Sequence, residues 1–183
     1  MKFSAKFKRW VKNLWPPAIE VSSRERWRVA LAAGLSLALI ALYWRFLGWA
    51  LQWEGQRLGL LAPLGASALL VFAVPASPMA QPWPAVWGNT LSVTVGLLVA
   101  HWLPIPELAI LVGLPLAIAL MYWSRSLHPP GVAMALLMVL AGPQNDPWPT
   151  LMCGFLGSLL LVLSACVFNP MTGKSYPVRL SVH

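Results

Sequence analysis

Six apolar runs follow one another between Val29 and Phe168, at about 28–48, 58–75, 85–103, 106–123, 130–141 and 150–168, with only short polar or proline-rich breaks between them. A chain built this way has little choice of solvent. In lipid every backbone N–H and C=O must be met within the structure, which leaves only helices and closed barrels. Long apolar runs without period-two alternation are helices rather than strands. Of the 183 residues 58% are apolar and 10% charged, a balance outside that of soluble domains. The expected fold is therefore all-α, a polytopic membrane helical bundle of four to six transmembrane segments. The first, third, fourth and sixth runs are credible spanning helices. The second is interrupted by Pro63 and the fifth opens on Pro129-Pro130.

The net charge of +8 lies mostly ahead of the first span, on Lys2, Lys6, Lys8, Arg9, Lys12, Arg24, Arg26 and Arg28. That position speaks for membrane topology and against a nucleic-acid partner, and it places the N-terminus in the cytoplasm. Phe3, Phe7, Trp10 and Leu14 recur at i, i+4, i+7 and i+11, so a basic helix with one apolar stripe lies on anionic lipid until Pro16-Pro17 ends it. A long first run with no small-residue cleavage site is not a secretory signal. The chain divides into a basic amphipathic segment (1–24), a transmembrane domain (25–170) and a cytoplasmic tail (171–183).

The transmembrane domain reads as a duplication, with repeats over 25–104 and 105–170. PLGASALL (63–70) lies over PGVAMALL (130–137) at an offset of 67, and QPWP (81–84) lies over DPWP (146–149) after a two-residue shortening. If all six runs cross, each half has an odd number of passes and the halves are inverted. Arg125, Lys174 and Arg179 then face the cytoplasm with both termini, while Arg45, Arg57, Glu54, Glu107 and Asp146 face out. Treating the second and fifth runs as re-entrant gives four spans and moves Arg125 outside. Charge counting prefers six only slightly.

Pro63 and Pro130 read as helix starts, since proline lacks an N–H that the first turn cannot use. The dozen or so residues after each cover about 18 Å, near half of a hydrocarbon layer about 30 Å thick. Each helix should begin inside the bilayer and leave amides to be met there. Gly65, Ala66, Ser67 and Gly131 would let a ligand approach those amides. The expectation is a small-anion site, made without lysine or arginine, at two amino ends sharing one cavity. His128, just before Pro129, can donate a hydrogen bond, and Ser67 and Asn89 add polar groups in apolar runs.

Nothing in the sequence has the spacing of a metal site, nucleotide loop, nucleophile elbow or carboxylate pair. No cofactor and no enzymatic activity are expected. Cys153 and Cys166 read as buried thiols. Trp44, Trp49, Trp53, Trp83, Trp87, Trp102, Trp123 and Trp148 fall near span ends as an interfacial belt, with His101 anchored beside Trp102. Gly154-x-x-Gly157 offers a small-residue face for a homo-oligomer.

LAPLGASALLVFAVPASPMAQP (61–82), His128-Pro129-Pro130 with the small-residue helix after it, and Asn169 with Tyr176-Pro177 resemble the HPP family of integral membrane proteins over residues 25–180. Gly65, Ala66, Ser67, Pro78, Gln81, Pro82, His128, Pro129 and Pro130 match its signature positions. The family is described with four transmembrane helices and includes members implicated in nitrite transport across chloroplast and cyanobacterial membranes. The resemblance implies a small-anion, nitrite-like transporter or channel; a non-transporting structural or assembly subunit is the alternative. The family usually continues AGATAL after HPP, whereas this chain has GVAMAL, with Val132 and Met134 in place of a glycine and a threonine. A bacterial inner (plasma) membrane, the lipid bilayer as partner and a small inorganic anion as substrate complete the expectation.

Overall fold

The structure is a computed structural model that describes residues 2–14, 21–52 and 59–178. Pro16-Pro17, Trp53, Glu54, Arg57 and Arg179 lie outside the described residues, as do the side chains of Lys2 and Phe3. The described residues form helices joined by turns and loops, with no strand among them.

Helix α1 is Lys2–Leu14, and Phe7, Trp10 and Leu14 are all exposed along it. The remaining helices are α2 (Ser23–Leu51), α3 (Leu61–Ala73), α4 (Asn89–Trp102), α5 (Pro106–Trp123), α6 (Pro129–Ala141) and α7 (Trp148–Met171). Local chemistry sets many of their ends. Ser22 caps α2 by accepting from the Glu25 N–H at 3.2 Å. Proline occupies the first turn of α5, α6 and α7. Gly142, at φ +75°, ends α6 in a conformation that other residues adopt only under strain. The expected runs therefore hold as helices, but α4, from the third expected span, is only 14 residues long, and α2 is longer at both ends than 28–48. Pro63 is the third residue of α3 rather than its start.

Helices α2, α5 and α7 are long and apolar enough to cross a membrane alone. At 13 residues, α3 and α6 extend only about 20 Å each. Before α4 the chain makes a 3-10 turn (Pro78–Ala80) and then a wide π turn (Pro84–Gly88) that runs directly into Asn89.

One end of the bundle is tied together by side chains. Arg28 of α2 donates to Asn169 Oδ1 of α7 (2.9 Å) and to the Phe72 carbonyl at the end of α3 (2.6 Å), and pairs through its other N–H groups with Glu25 (both 2.8 Å). It thus meets an orphan carbonyl of a short helix with a positive charge. Trp83 Nε1 donates to the Ser124 carbonyl (3.1 Å) and Tyr176 Oη to the Ala80 carbonyl (2.9 Å), so the 74–83 and 124–128 loops and the C-terminal segment share this end. Burial and the nearby Cys166 thiol hold the Tyr176 phenol above its ordinary range, which keeps it a donor. It follows that α2, α4 and α6 run away from this end and α3, α5 and α7 run back. The half α2–α3–α4 is thereby inverted with respect to α5–α6–α7.

Helices α4 and α6 pack in close contact. A Cβ on Gly96 would stand 2.6 Å from the Ala135 carbonyl oxygen, and one on Gly131 would stand 2.8 Å from Ser92 Oγ. Small residues bring the two backbones into contact, the usual means of helix association in lipid. Gly154 and Gly157 serve inside the chain as well: they face Val93 and the Trp44 ring, so the expected oligomer face is an internal seam. Trp44 is correspondingly buried (1% exposed) rather than part of the interfacial belt. Trp49, Trp83, Trp87, Trp102, Trp123 and Trp148 are exposed as a belt requires. Cys153 is buried, whereas Cys166 is only half covered.

Candidate functional site

Midway along α3, Ser67 projects into the bundle, and the inverted second half brings His128 to it from the end of the 124–128 loop. Ser67 Oγ and His128 Nε2 are 2.9 Å apart. Asn89, the first α-helical residue after the π turn, directs Nδ2 at Ser67 Oγ (3.1 Å) and at Ser158 Oγ of α7 (3.1 Å). Ser67, Asn89 and His128 are fully buried and Ser158 is 1% exposed. Four separate elements thus meet in one buried hydrogen-bonded node.

The proton positions follow from the partners. His128 Nδ1 lies 2.8 Å from the Met79 carbonyl, which can only accept, so Nδ1 carries the proton. In the neutral ring Nε2 is then an acceptor for the Ser67 hydroxyl, whose single proton also lies within reach of the Pro63 carbonyl one turn earlier in α3 (3.2 Å). Ser67 Oγ in turn accepts from Asn89, and Ser158, which accepts the second amide proton, passes its own to the Gly154 carbonyl (2.8 Å). Every donor is used. One acceptor, Asn89 Oδ1, is buried without a partner.

This geometry corrects the expected anion site in two respects. The halves are inverted, so α3 and α6 lie antiparallel and their amino ends point to opposite sides of the bundle. The Pro63 turn of α3 sits beside Leu136, Leu137 and Leu140, late in α6, along an apolar groove of about 350 Å3. The amides are also closed. Pro129 and Pro130 have no N–H and the Gly131 N–H is taken by the His128 carbonyl (2.8 Å), while Ala62 and Leu64 of α3 bond to Gly59 and Leu60. The prolines that start these helices also remove the donors an anion would need.

The candidate residues therefore separate. Ser67, Asn89 and His128 come together. Gly65 is half-exposed and faces Leu37, Ala66 is exposed, and Gly131 is pressed against Ser92 and Gly88. Pro78 opens the 3-10 turn. Gln81 donates to the Pro75 and Ser77 carbonyls (both 2.9 Å) and accepts from the Val178 N–H (2.8 Å), fixing the loop whose Met79 carbonyl orients His128. Pro82 begins the helical turn that leads into the π turn. Ser158 was missed, although an isolated hydroxyl in an apolar run is the signal that singled out Ser67. Arg28 was counted only for topology.

A model of the transmembrane region of HPP proteins matches residues 18–177. The chain belongs to the HPP family. Two curated transmembrane proteins of Dictyostelium discoideum are similar to it. One is 37% identical over 134 residues, 68% of this chain and 42% of the relative; the other is 34% identical over 185 aligned positions, 94% of this chain and 62% of the relative. This HPP chain thus spans less than two thirds of either relative. No solved structure matches it.

In the HPP triplet, His128 joins the node and Pro129-Pro130 turn the chain into α6. The departures after it are structural: Met134 is fully buried in the main core, where a threonine would have brought a hydroxyl. The Ser67–His128 pair has the spacing of a nucleophile and its base. Both Asn89 amide protons are nevertheless committed, leaving none of them for an oxyanion.

Proposed function

We propose that this HPP protein is a transporter or channel for a small inorganic solute of the nitrite class, which crosses the bundle at the Ser67–Asn89–His128–Ser158 node. The observation that carries the reading is the node itself: a polar cluster without permanent charge at the level where two inverted halves meet. Polar side chains in lipid are costly unless paired, and they mark solute pathways more often than apolar positions do. The side chains form the site in place of the helix amides. The resemblance of the HPP signature to nitrite-transporting members supports the substrate class. The basic end, with Arg24, Arg26, Arg28, Arg125 and Lys174, faces the cytoplasm in this reading. A bacterial inner (plasma) membrane is the location proposed with it, while the two curated relatives come from Dictyostelium discoideum.

The test is flux into sealed vesicles holding the purified chain, driven by nitrite, nitrate or chloride, for wild type, Ser67→Ala and His128→Ala. Protein-dependent nitrite entry that both variants reduce supports the reading. A folded protein that moves none of these solutes favours the structural subunit, a role consistent with the tight α4–α6 seam.

A further inference from the structure

Helix α5 closes on a residue that its backbone conformation disfavours. The Ser126 N–H donates to the Met121 carbonyl (2.8 Å) and the Arg125 N–H to the Tyr122 carbonyl (3.2 Å), a paired closure in which the residue after the cap turns left-handed. That residue is Arg125, at φ +55°. Helix α7 closes with the same pair of bonds, Lys174 to Asn169 (2.9 Å) and Gly173 to Pro170 (3.0 Å), and there the turned residue is Gly173, at φ +80°. Glycine adopts this conformation freely, whereas in any other residue Cβ crowds the following carbonyl oxygen. Non-glycine residues held in this region cluster at functional sites.

The Arg125 side chain lines a hollow of about 190 Å3 at the basic end of the bundle, walled mainly by Met79, Pro84, Met121 and Leu127. This wall carries the node on its far side: the Met79 carbonyl accepts from His128 Nδ1 (2.8 Å), and Leu127 immediately precedes His128. Arg125 is the one charged residue lining the hollow, and no ion pair among the described residues engages it. Glu25, the acidic group described at this end, is held by Arg28 (2.8 Å) and Lys174 (3.4 Å). A guanidinium without a carboxylate, set in a mostly apolar wall, suits a weakly hydrated anion of single charge, because a more strongly hydrated one gives up more on leaving water. Its planar fork also pairs with two coplanar oxygens. Nitrite offers such a pair and chloride does not.

Resting on the transport reading above, we propose that the Arg125 hollow is the cytoplasmic docking site of the transported anion, where the guanidinium fork holds a small planar oxyanion of the nitrite class by two oxygens before it reaches the node. The left-handed turn sets that fork over the hollow. Stability is given up at the end of α5 so that the anion is drawn to the wall that carries His128.

The experiment melts the purified full chain in nitrite, with chloride as the reference at equal ionic strength, and follows nitrite entry into sealed vesicles holding the same proteins. Nitrite should raise the wild-type melting temperature over that in chloride by about 3 °C or more once it exceeds roughly ten times its Kd. Arg125→Gln should lose that shift and slow entry at low nitrite about twofold or more, while Arg125→Lys, with the charge but not the fork, should keep less than half of the shift. Arg125→Gly, freed of the left-handed strain, should melt about 2–4 °C above wild type in chloride and also lose the nitrite shift. An arginine that only balanced the carboxyl end of α5 would make that variant melt lower. This inference is overturned, and the transport reading left standing, if nitrite enters the vesicles but the wild type shows no nitrite shift, if Arg125→Gln or Arg125→Gly keeps the full shift or the wild-type rate of entry, or if Arg125→Gly melts no higher than wild type. A nitrite shift that depends on Arg125 without any nitrite entry removes the transport reading and leaves the anion site. Neither shift nor entry removes both.

Discussion

Replacing Gly96 and Gly65 by alanine in turn separates close helix contact from ligand access. Both glycines are helical, so each change gains the same propensity, up to about 1 kcal/mol. Their surroundings differ. A Cβ at position 65 finds Leu37 Cδ1 at 3.9 Å, an ordinary contact. At position 96 it would meet the Ala135 carbonyl oxygen at 2.6 Å, Met138 Cβ at 2.7 Å and Ala135 Cα at 3.0 Å. Two of these three atoms are backbone and cannot rotate away. To restore a 3.4 Å contact the α4–α6 seam must open by at least about 0.8 Å. Overpacking of this kind costs about 1–3 kcal/mol. The propensity gain cancels between the variants, so Gly96→Ala should melt below Gly65→Ala by roughly 6 °C, within bounds of about 2–12 °C. Thermal unfolding of the purified proteins in one detergent, followed by tryptophan fluorescence, measures the gap. Gly65→Ala should also keep wild-type nitrite flux, because Gly65 does not face the node. If the two variants melt together, α4 and α6 do not touch as described. If Gly65→Ala abolishes flux at unchanged stability, a ligand does approach that backbone and the side-chain node is the wrong site.

Three other outcomes follow from named contacts. Arg28→Met strips the Phe72 carbonyl, Asn169 and Glu25 of a charged partner and should destabilise the protein by about 2–3 kcal/mol in the same melt; Arg28→Lys should recover little, since a single ammonium cannot serve three partners in a planar fork. Ser158→Ala leaves an Asn89 amide proton unmet and should cost about 1–3 kcal/mol and lower flux, whereas Tyr176→Phe, which removes one hydrogen bond outside the node, should cost about 1 kcal/mol and leave flux unchanged. Spin labels at Phe7 and Lys8 of α1 in anionic vesicles should report lipid depth at 7 and water at 8; equal water exposure at both would show that α1 does not lie on the membrane.

Much of this fold is legible in the chain because lipid makes backbone hydrogen bonding local. Each apolar run must close its own bonds, so run lengths, prolines such as Pro106 and Pro129, and Gly142 place helix ends nearly where they fall. The odd number of passes in each half likewise implies their inversion. Facing is not legible, because a helix surrounded by lipid and other helices is apolar on every side and its sequence period does not say which side is inward. Trp44 and Trp49 read alike, yet one fills the space over Gly157 and the other is exposed. Ser67 and His128 are 61 positions apart, and only the antiparallel docking of α3 and α6 puts 2.9 Å between them. That docking turns the two amino ends away from each other. The sequence by itself determined an inverted bundle of short and long helices with a few polar residues inside; the tertiary structure decided which of them meet, because contacts between distant segments depend on helix rotation and offset.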